Sequence, residues 1–226
     1  MTAPYYEDDL VALYLGSCLE VEEWLTADVL ITDPPYGVGG KLSKASRKGV
    51  TVHGRQEWDL TLDVRDQVLD LWGDKPYAVF GSPRRLDAMI EHREVPLIWD
   101  KGNMPAMGDT SFPWRPTYEL VYVAGPGWTG ARGEAVLRYD HKTGTASKVG
   151  HPSAKPIPLM QHLVAKAPAG IIADPFAGSG STAVAARREG RRAICVEMDE
   201  RYCEIAATRL SQQAFDFDDL IGGDAA

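Results

Sequence analysis

The chain has 226 residues, 44% of them hydrophobic and 25% charged, enough for one sizeable domain with its own core. No apolar run reaches the roughly 18 residues of a membrane span, and the acidic opening "MTAPYYEDD" lacks the features of a secretory signal. A net charge of -8 argues against a uniformly basic nucleic-acid binder, so any phosphate contact must come from local clustering.

In chain order, a first strand is expected at "VALYL" (11–15), followed by Gly16, Ser17 and Cys18. The second strand, "DVLIT" (28–32), runs into Asp33, Pro34, Pro35 and Tyr36. Beyond Gly37 comes a loop to Trp58 in which Lys41, Lys44, Arg47, Lys48 and Arg55 face one acid, Glu57, a local charge of +4 with histidine neutral. A solvated loop and a phosphate-binding loop both fit that pattern. Helices are expected over 62–73, closed by Gly73, and over 82–93, with Ser82 as N-cap and Pro83 at the first helical position. Strands come next at 77–81, 96–100 and 118–124, the last read as antiparallel. Helix 155–168, strand 170–174, helix 180–190, strand 192–197 and helix 199–213 complete the pattern.

Alternating strands and helices, with several strands apolar on consecutive positions, predict an α/β fold around a largely parallel sheet. The irregular stretches 37–58, 101–117 and 125–154 are long enough to expect functional loops. Cys18, Cys195 and Cys203 are odd in number and lack metal-ligand spacing, which reads as reduced thiols in a cytoplasm. No metal site is expected.

The tetrapeptide Asp33-Pro34-Pro35-Tyr36 arises by chance in about one chain in a thousand of this length. A proline pair can simply end a strand. An acid at the carboxyl end of a strand in an open α/β sheet, however, lies where ligands bind. Pro34 and Pro35 push the backbone out of regular pairing, so the Asp33 carboxylate and the Pro34 carbonyl can face one spot beside the Tyr36 ring. Two acceptors and an aromatic face suit the exocyclic amino group of a nucleobase.

The second signal is "ADPFAGSGST" (173–182), a strand running through Gly178-Ser179-Gly180 into an alanine-rich helix. Glycines let the backbone approach a ligand, and Glu197 ends the next strand, where an acid receives ribose hydroxyls. A tight connection would look similar. A P-loop is excluded because no lysine follows Gly180, while a dinucleotide site survives only by accepting Ala183 as its last small residue.

With both signals in hand, the chain resembles the β-class amino DNA methyltransferases, in which the catalytic motif precedes the S-adenosylmethionine loop. The resemblance spans nearly the whole chain through "LYLGSCLE", "DPPY", "IWDKGN", "RPTYELVYVAG", "HPSAKPIPLMQHLV", "DPFAGSGST" and "VEMDERYCEIAATRL" in family order. It implies a Rossmann-like, seven-stranded, mostly parallel sheet with helices on both faces and circularly permuted motif order, in one catalytic domain over 1–226. It also implies S-adenosylmethionine as methyl donor and a base flipped from double-stranded DNA. By position, Asp33, Pro34 and Tyr36 match the catalytic residues. Asp174, Phe176, Gly178, Gly180, Ser181, Thr182, Glu197 and Met198 match the cofactor site, and Lys155, with His151 upstream, matches the block closing over its methionine end.

Where the family has Gly-Asp before the catalytic strand, this chain has Gly16-Ser17-Cys18, so Ser17 or a backbone carbonyl must replace the usual acid toward the cofactor adenine. The recognition segment, about 125–150, is minimal, which leaves target reading to the basic loop, to that segment, or to the second subunit of a homodimer. Asp33 in place of serine favours adenine N6 over cytosine N4. Lys41, Lys44, Arg47, Lys48 and Arg55 are expected to meet DNA phosphates. Trp58 and Trp114 are read as core or loop packing ahead of base stacking. No membrane partner is expected.

Overall fold

Runs that are apolar on consecutive positions must be covered on both faces, and they build the centre of the sheet. The computed structural model describes residues 3–37, 62–83, 95–102, 114, 117–140 and 153–213. The described residues form nine strands: β1 (Tyr6–Glu7), β2 (Val11–Leu15), β3 (Val29–Thr32), β4 (Tyr77–Gly81), β5 (Val95–Asp100), β6 (Tyr118–Ala124), β7 (Val136–Arg138), β8 (Ile172–Asp174) and β9 (Ala193–Glu197). They make one sheet in the order β1-β2-β9-β8-β3-β4-β6-β5-β7. β2, β9, β8, β3 and β4 run parallel, and β6 is antiparallel to both β4 and β5, as expected of "ELVYVA".

The seven expected strands are contiguous. Two short strands extend the edges: β1 pairs antiparallel with β2, and β7 pairs parallel with β5. Both are too short to leave a period-2 signal, and β7 lies inside the stretch read as irregular recognition segment.

Among the described residues, four helices flank the sheet: α1 (Asp63–Trp72), α2 (Ile157–Lys166), α3 (Ser181–Arg188) and α4 (Glu200–Gln213), with a 3₁₀ turn at Glu23–Thr26. Successive strand residues point to opposite faces, and β3 divides accordingly. Val29 and Ile31 pack with Leu159, Met160 and Leu163 of α2, Val184 of α3 and Leu210 of α4. Leu30 points the other way, into a cluster with Trp24 and with Val68 and Trp72 of α1. Trp24 and Trp72 stack there with centroids 5.8 Å apart. α1 stops at Gly73, whose φ of 68° a side chain would resist. The helix expected over 82–93 lies almost wholly outside the described residues.

The chain leaves β3 through α1 toward β4, and leaves β8 through α3 toward β9, in opposite directions along the sheet. The strand order therefore reverses between β3 and β8. In open α/β sheets the crevice outside the carboxyl ends at such a point is where ligands bind. Asp33 follows β3 there, and the glycine loop follows β8.

Candidate active site

Pro34 has no N–H to donate and a fixed φ, so β3 cannot continue past Asp33. The Asp33 carboxylate is held at both oxygens: Oδ1 accepts from the Tyr36 hydroxyl and Oδ2 from the Lys155 ammonium, with which it forms a salt bridge. Lys155 sits just before α2 and also donates to the Tyr36 hydroxyl oxygen at 3.3 Å. Glu119 of β6 approaches from the far side. Its Oε2 is 3.3 Å from the Tyr36 hydroxyl and 3.4 Å from Lys155 Nζ, and its Oε1 accepts from Lys101, which follows β5. Four charges thus alternate in sign along the carboxyl edge of the sheet. The Lys155 side chain is 6% exposed and that of Asp33 is 26% exposed, so the cluster opens to solvent most at Asp33.

Burial works against every one of these charges, and their partners decide the balance. It pushes the Asp33 carboxyl up against the pull of the Lys155 ammonium. It pulls Lys155 down, but Asp33 and Glu119 outweigh it and hold that ammonium above the ordinary lysine value. Burial raises Glu119 too, and Lys155 and Lys101 overcome it, leaving this carboxyl below its usual range. The rings of Phe80, Tyr36 and Trp99 surround Lys155 Nζ at 4.9, 5.7 and 5.9 Å.

Two side chains tie this cluster to the glycine loop. Thr32 Oγ1 donates to Asp174 Oδ1 at 2.6 Å, joining the end of β3 to the end of β8. Ser181 Oγ, at the start of α3, donates to the Lys155 carbonyl at 2.9 Å. Asp174 also accepts from the Phe176 N–H at 3.1 Å and from Thr182. Its burial pushes the carboxyl up to about 6 against these hydrogen bonds. The proton that folded Asp174 keeps is already lost from the unfolded chain. Its stabilising effect is therefore complete below pH 3.8 and lost as pH rises through about 6. Asp174→Asn is expected to remove roughly 3 kcal/mol of this pH dependence, read by urea unfolding on either side of the window. An unchanged pH slope would contradict the assignment.

The glycine loop has the form a cofactor cradle needs. Gly178 and Gly180 take φ of 51° and 78°. The Gly178 N–H donates to Glu197 Oε2 at 2.7 Å and the Asp199 N–H to Oε1 at 2.8 Å. With a further bond from the Met198 N–H, these fix the Glu197 carboxylate and still leave it acceptor capacity for a diol. Arg209 of α4 braces the loop from behind, donating to the Ser179 carbonyl and, at 3.2 Å, to its hydroxyl. The Gly16 N–H donates to the Glu197 carbonyl at 2.9 Å, which carries Ser17 and Cys18 to the same edge. Ser17 Oγ accepts from the Leu19 N–H at 3.3 Å, and the buried Cys18 thiol is pushed up to about 11.

The structure thus gathers Asp33, Pro34, Tyr36, Lys155, Asp174, Phe176, Gly178, Gly180, Ser181, Thr182, Glu197, Met198, Ser17 and Cys18 along the carboxyl edge. Lys155 reaches Asp33, where the resemblance placed it over the cofactor's methionine end. Met198 is 67% exposed beside Glu197. Trp114 is 72% exposed, which rules out the core half of the core-or-loop packing expected of it. Lys41, Lys44, Arg47, Lys48, Arg55, Trp58 and His151 lie outside the described residues. Sequence reasoning passed over Glu119, Lys101, Thr32 and Arg209. Only Glu119 carried a signal, an acid inside the otherwise apolar run "ELVYVA". Cys18, Cys195 and Cys203 are buried free thiols, and no helix among the described residues is long and apolar enough to cross a membrane.

A family model described as DNA methylase matches residues 68–208. The chain is 36% identical to the type II methyltransferase M.ScaI of Streptomyces caespitosus, over 93% of this chain and 84% of that one. Among solved structures, the PvuII DNA methyltransferase, cytosine-N4-specific, aligns with a TM-score of 0.67 at 18% identity, covering 92% of this chain and 88% of the other. The M1.HpyAVI–SAM complex aligns with a TM-score of 0.64 at 21% identity, covering 89% and 99%.

Proposed function

This chain belongs to the N6-adenine/N4-cytosine DNA methylases, and on that premise we propose that it moves a methyl group from S-adenosylmethionine to N6 of an adenine flipped out of double-stranded DNA. The observation that carries the reading is the meeting of Asp33 and the glycine loop at the reversal of strand order, joined by the Thr32–Asp174 hydrogen bond.

The chain's residues fit that cofactor. Glu197, oriented by backbone N–H groups of Gly178, Met198 and Asp199, would take the ribose hydroxyls. Exposed Met198 would cover the adenine, with Ser17 and Cys18 beside it. Asp174, Phe176, Gly178, Gly180, Ser181 and Thr182 would form the cradle. When bound, S-adenosylmethionine supplies an electrophilic methyl carbon on a sulfonium.

An adenine amino nitrogen is a poor nucleophile because its lone pair is delocalised into the ring. Asp33 and the Pro34 carbonyl would accept its two N–H bonds, favouring a pyramidal nitrogen and stabilising the positive charge that grows as it attacks. As the nitrogen lone pair takes up that methyl carbon and the sulfur leaves with the former carbon–sulfur pair, Asp33 would accept one amino proton and pass it to solvent. Tyr36 holds its hydroxyl on Asp33 and would present its ring to the base. Holding nucleophile and electrophile together supplies the proximity part of the acceleration. Extruding the base costs a few kcal/mol, which DNA contacts offset; Lys41, Lys44, Arg47, Lys48 and Arg55 are our candidates for those contacts.

The PvuII relative is cytosine-N4-specific, and a cytosine amino group would suit the same two acceptors, so N4 methylation is the second reading. DNA from a methylation-free host expressing this chain should contain 6-methyladenine by nucleoside mass spectrometry. Finding 4-methylcytosine without it would move the assignment to cytosine.

A further inference from the structure

Both oxygens of the Asp33 carboxylate already hold donors, Tyr36 on Oδ1 and Lys155 on Oδ2. A target amino group that needs Asp33 must displace them or share with them. Glu119 is the neighbouring acceptor common to both, with its Oε2 3.3 Å from the Tyr36 hydroxyl and 3.4 Å from Lys155 Nζ. Charge-assisted hydrogen bonds settle near 2.7–2.9 Å, so Lys155 would need to move by only about half an ångström to close on Glu119. The three surrounding aromatic rings confine the ammonium between the two carboxylates. Lys101 holds Glu119 Oε1 and favours its charged form.

We propose that Glu119 is a positioning residue that takes over Lys155 and the Tyr36 hydroxyl as the target amino group arrives, releasing the Asp33 lone pairs to receive it. This inference rests on the methyl-transfer reading of the same cleft. It explains why a second buried acid stands across the cation from the first. An amide in that place could accept from Tyr36 but could not draw an ammonium away from a carboxylate. The charged and titratable groups around Asp33 are Lys155 before α2, Tyr36 on its own loop, Glu119 on β6 and Asp174 on β8. Lys101, after β5, acts through Glu119.

The test is Glu119→Gln in the full chain, with single-turnover methyl transfer followed from about pH 5 to pH 9 and cofactor binding measured by calorimetry. The plateau rate is expected to fall about 10- to 100-fold with cofactor affinity unchanged. The acid limb of the rate profile should move to lower pH, because Lys155 then serves Asp33 alone and the repulsion from Glu119 is gone. Glu119→Asp, which keeps the charge, should recover part of the rate and return the limb toward its original pH. A glutamine variant with the wild-type plateau overturns the proposal. So does a plateau loss with an unmoved limb and weakened cofactor binding, the pattern of a merely structural residue. If the wild type transfers no methyl group, or Asp33→Asn transfers as well as wild type, the reading of the cleft fails and this inference goes with it. That outcome is distinct from an active wild type beside an unaffected Glu119→Gln.

Discussion

Asp33→Asn is expected to reduce methyl transfer about 10²- to 10³-fold while leaving S-adenosylmethionine binding intact. Asparagine keeps the shape and one acceptor oxygen but loses the charge that would stabilise a developing cation on the amino nitrogen. It also leaves Lys155 beside one carboxylate, Glu119, instead of two. Asp33→Ala removes every acceptor at that position and leaves the largely buried ammonium with Glu119 alone, so part of the roughly 3–5 kcal/mol of breaking a buried ion pair is expected as lost stability. The asparagine variant therefore separates chemistry from folding. Single-turnover transfer and calorimetric cofactor binding on the same preparation check it, and equal loss of both would mean that Asp33 serves the cofactor or the fold and not the methyl acceptor.

Gly180→Ala is expected to strike the other half of the cleft. Gly180 has φ of 78°, a left-handed conformation that costs a side-chain-bearing residue about 1–2 kcal/mol. An added Cβ would stand 2.8 Å from Ala206 Cβ and 3.3 Å from its Cα, so α4 must shift to make room. Overpacking of this kind adds about 1–3 kcal/mol. Arg209, on the same helix, donates to the Ser179 carbonyl, so a displaced α4 would carry the glycine loop with it. The expected result is a lower unfolding midpoint in denaturant and a rise in the cofactor dissociation constant. A variant with wild-type stability and wild-type cofactor affinity would contradict this account of the loop.

The local features of both halves are legible in the sequence. Consecutive apolar residues mark β3, and Asp33-Pro34-Pro35-Tyr36 shows by itself where that strand ends and which side chains stand at its mouth. The glycines before α3 and Glu197 at the end of β9 are likewise features of nearby residues. Pairings across the chain are not legible. Lys155 and Asp33 are 122 residues apart, and only the sheet order and the entry angle of α2 bring them together. Glu119 faces the cluster because β6 runs antiparallel beside β4, with Leu120 opposite Gly81 at the carboxyl edge. That register comes from packing on two faces and not from any motif. β1 and β7 escape notice for a simpler reason: they are too short to show a period.

The central claim is that one cleft holds a nucleobase amino group on Asp33 and a methyl donor on the glycine loop. Its most direct test is transfer of isotope-labelled methyl from S-adenosylmethionine to DNA by purified wild type and Asp33→Asn side by side, with the labelled nucleoside identified. The account predicts label on adenine N6 with wild type and almost none with the variant at equal cofactor occupancy. Equal labelling by both proteins, or label on a base carbon, would contradict it.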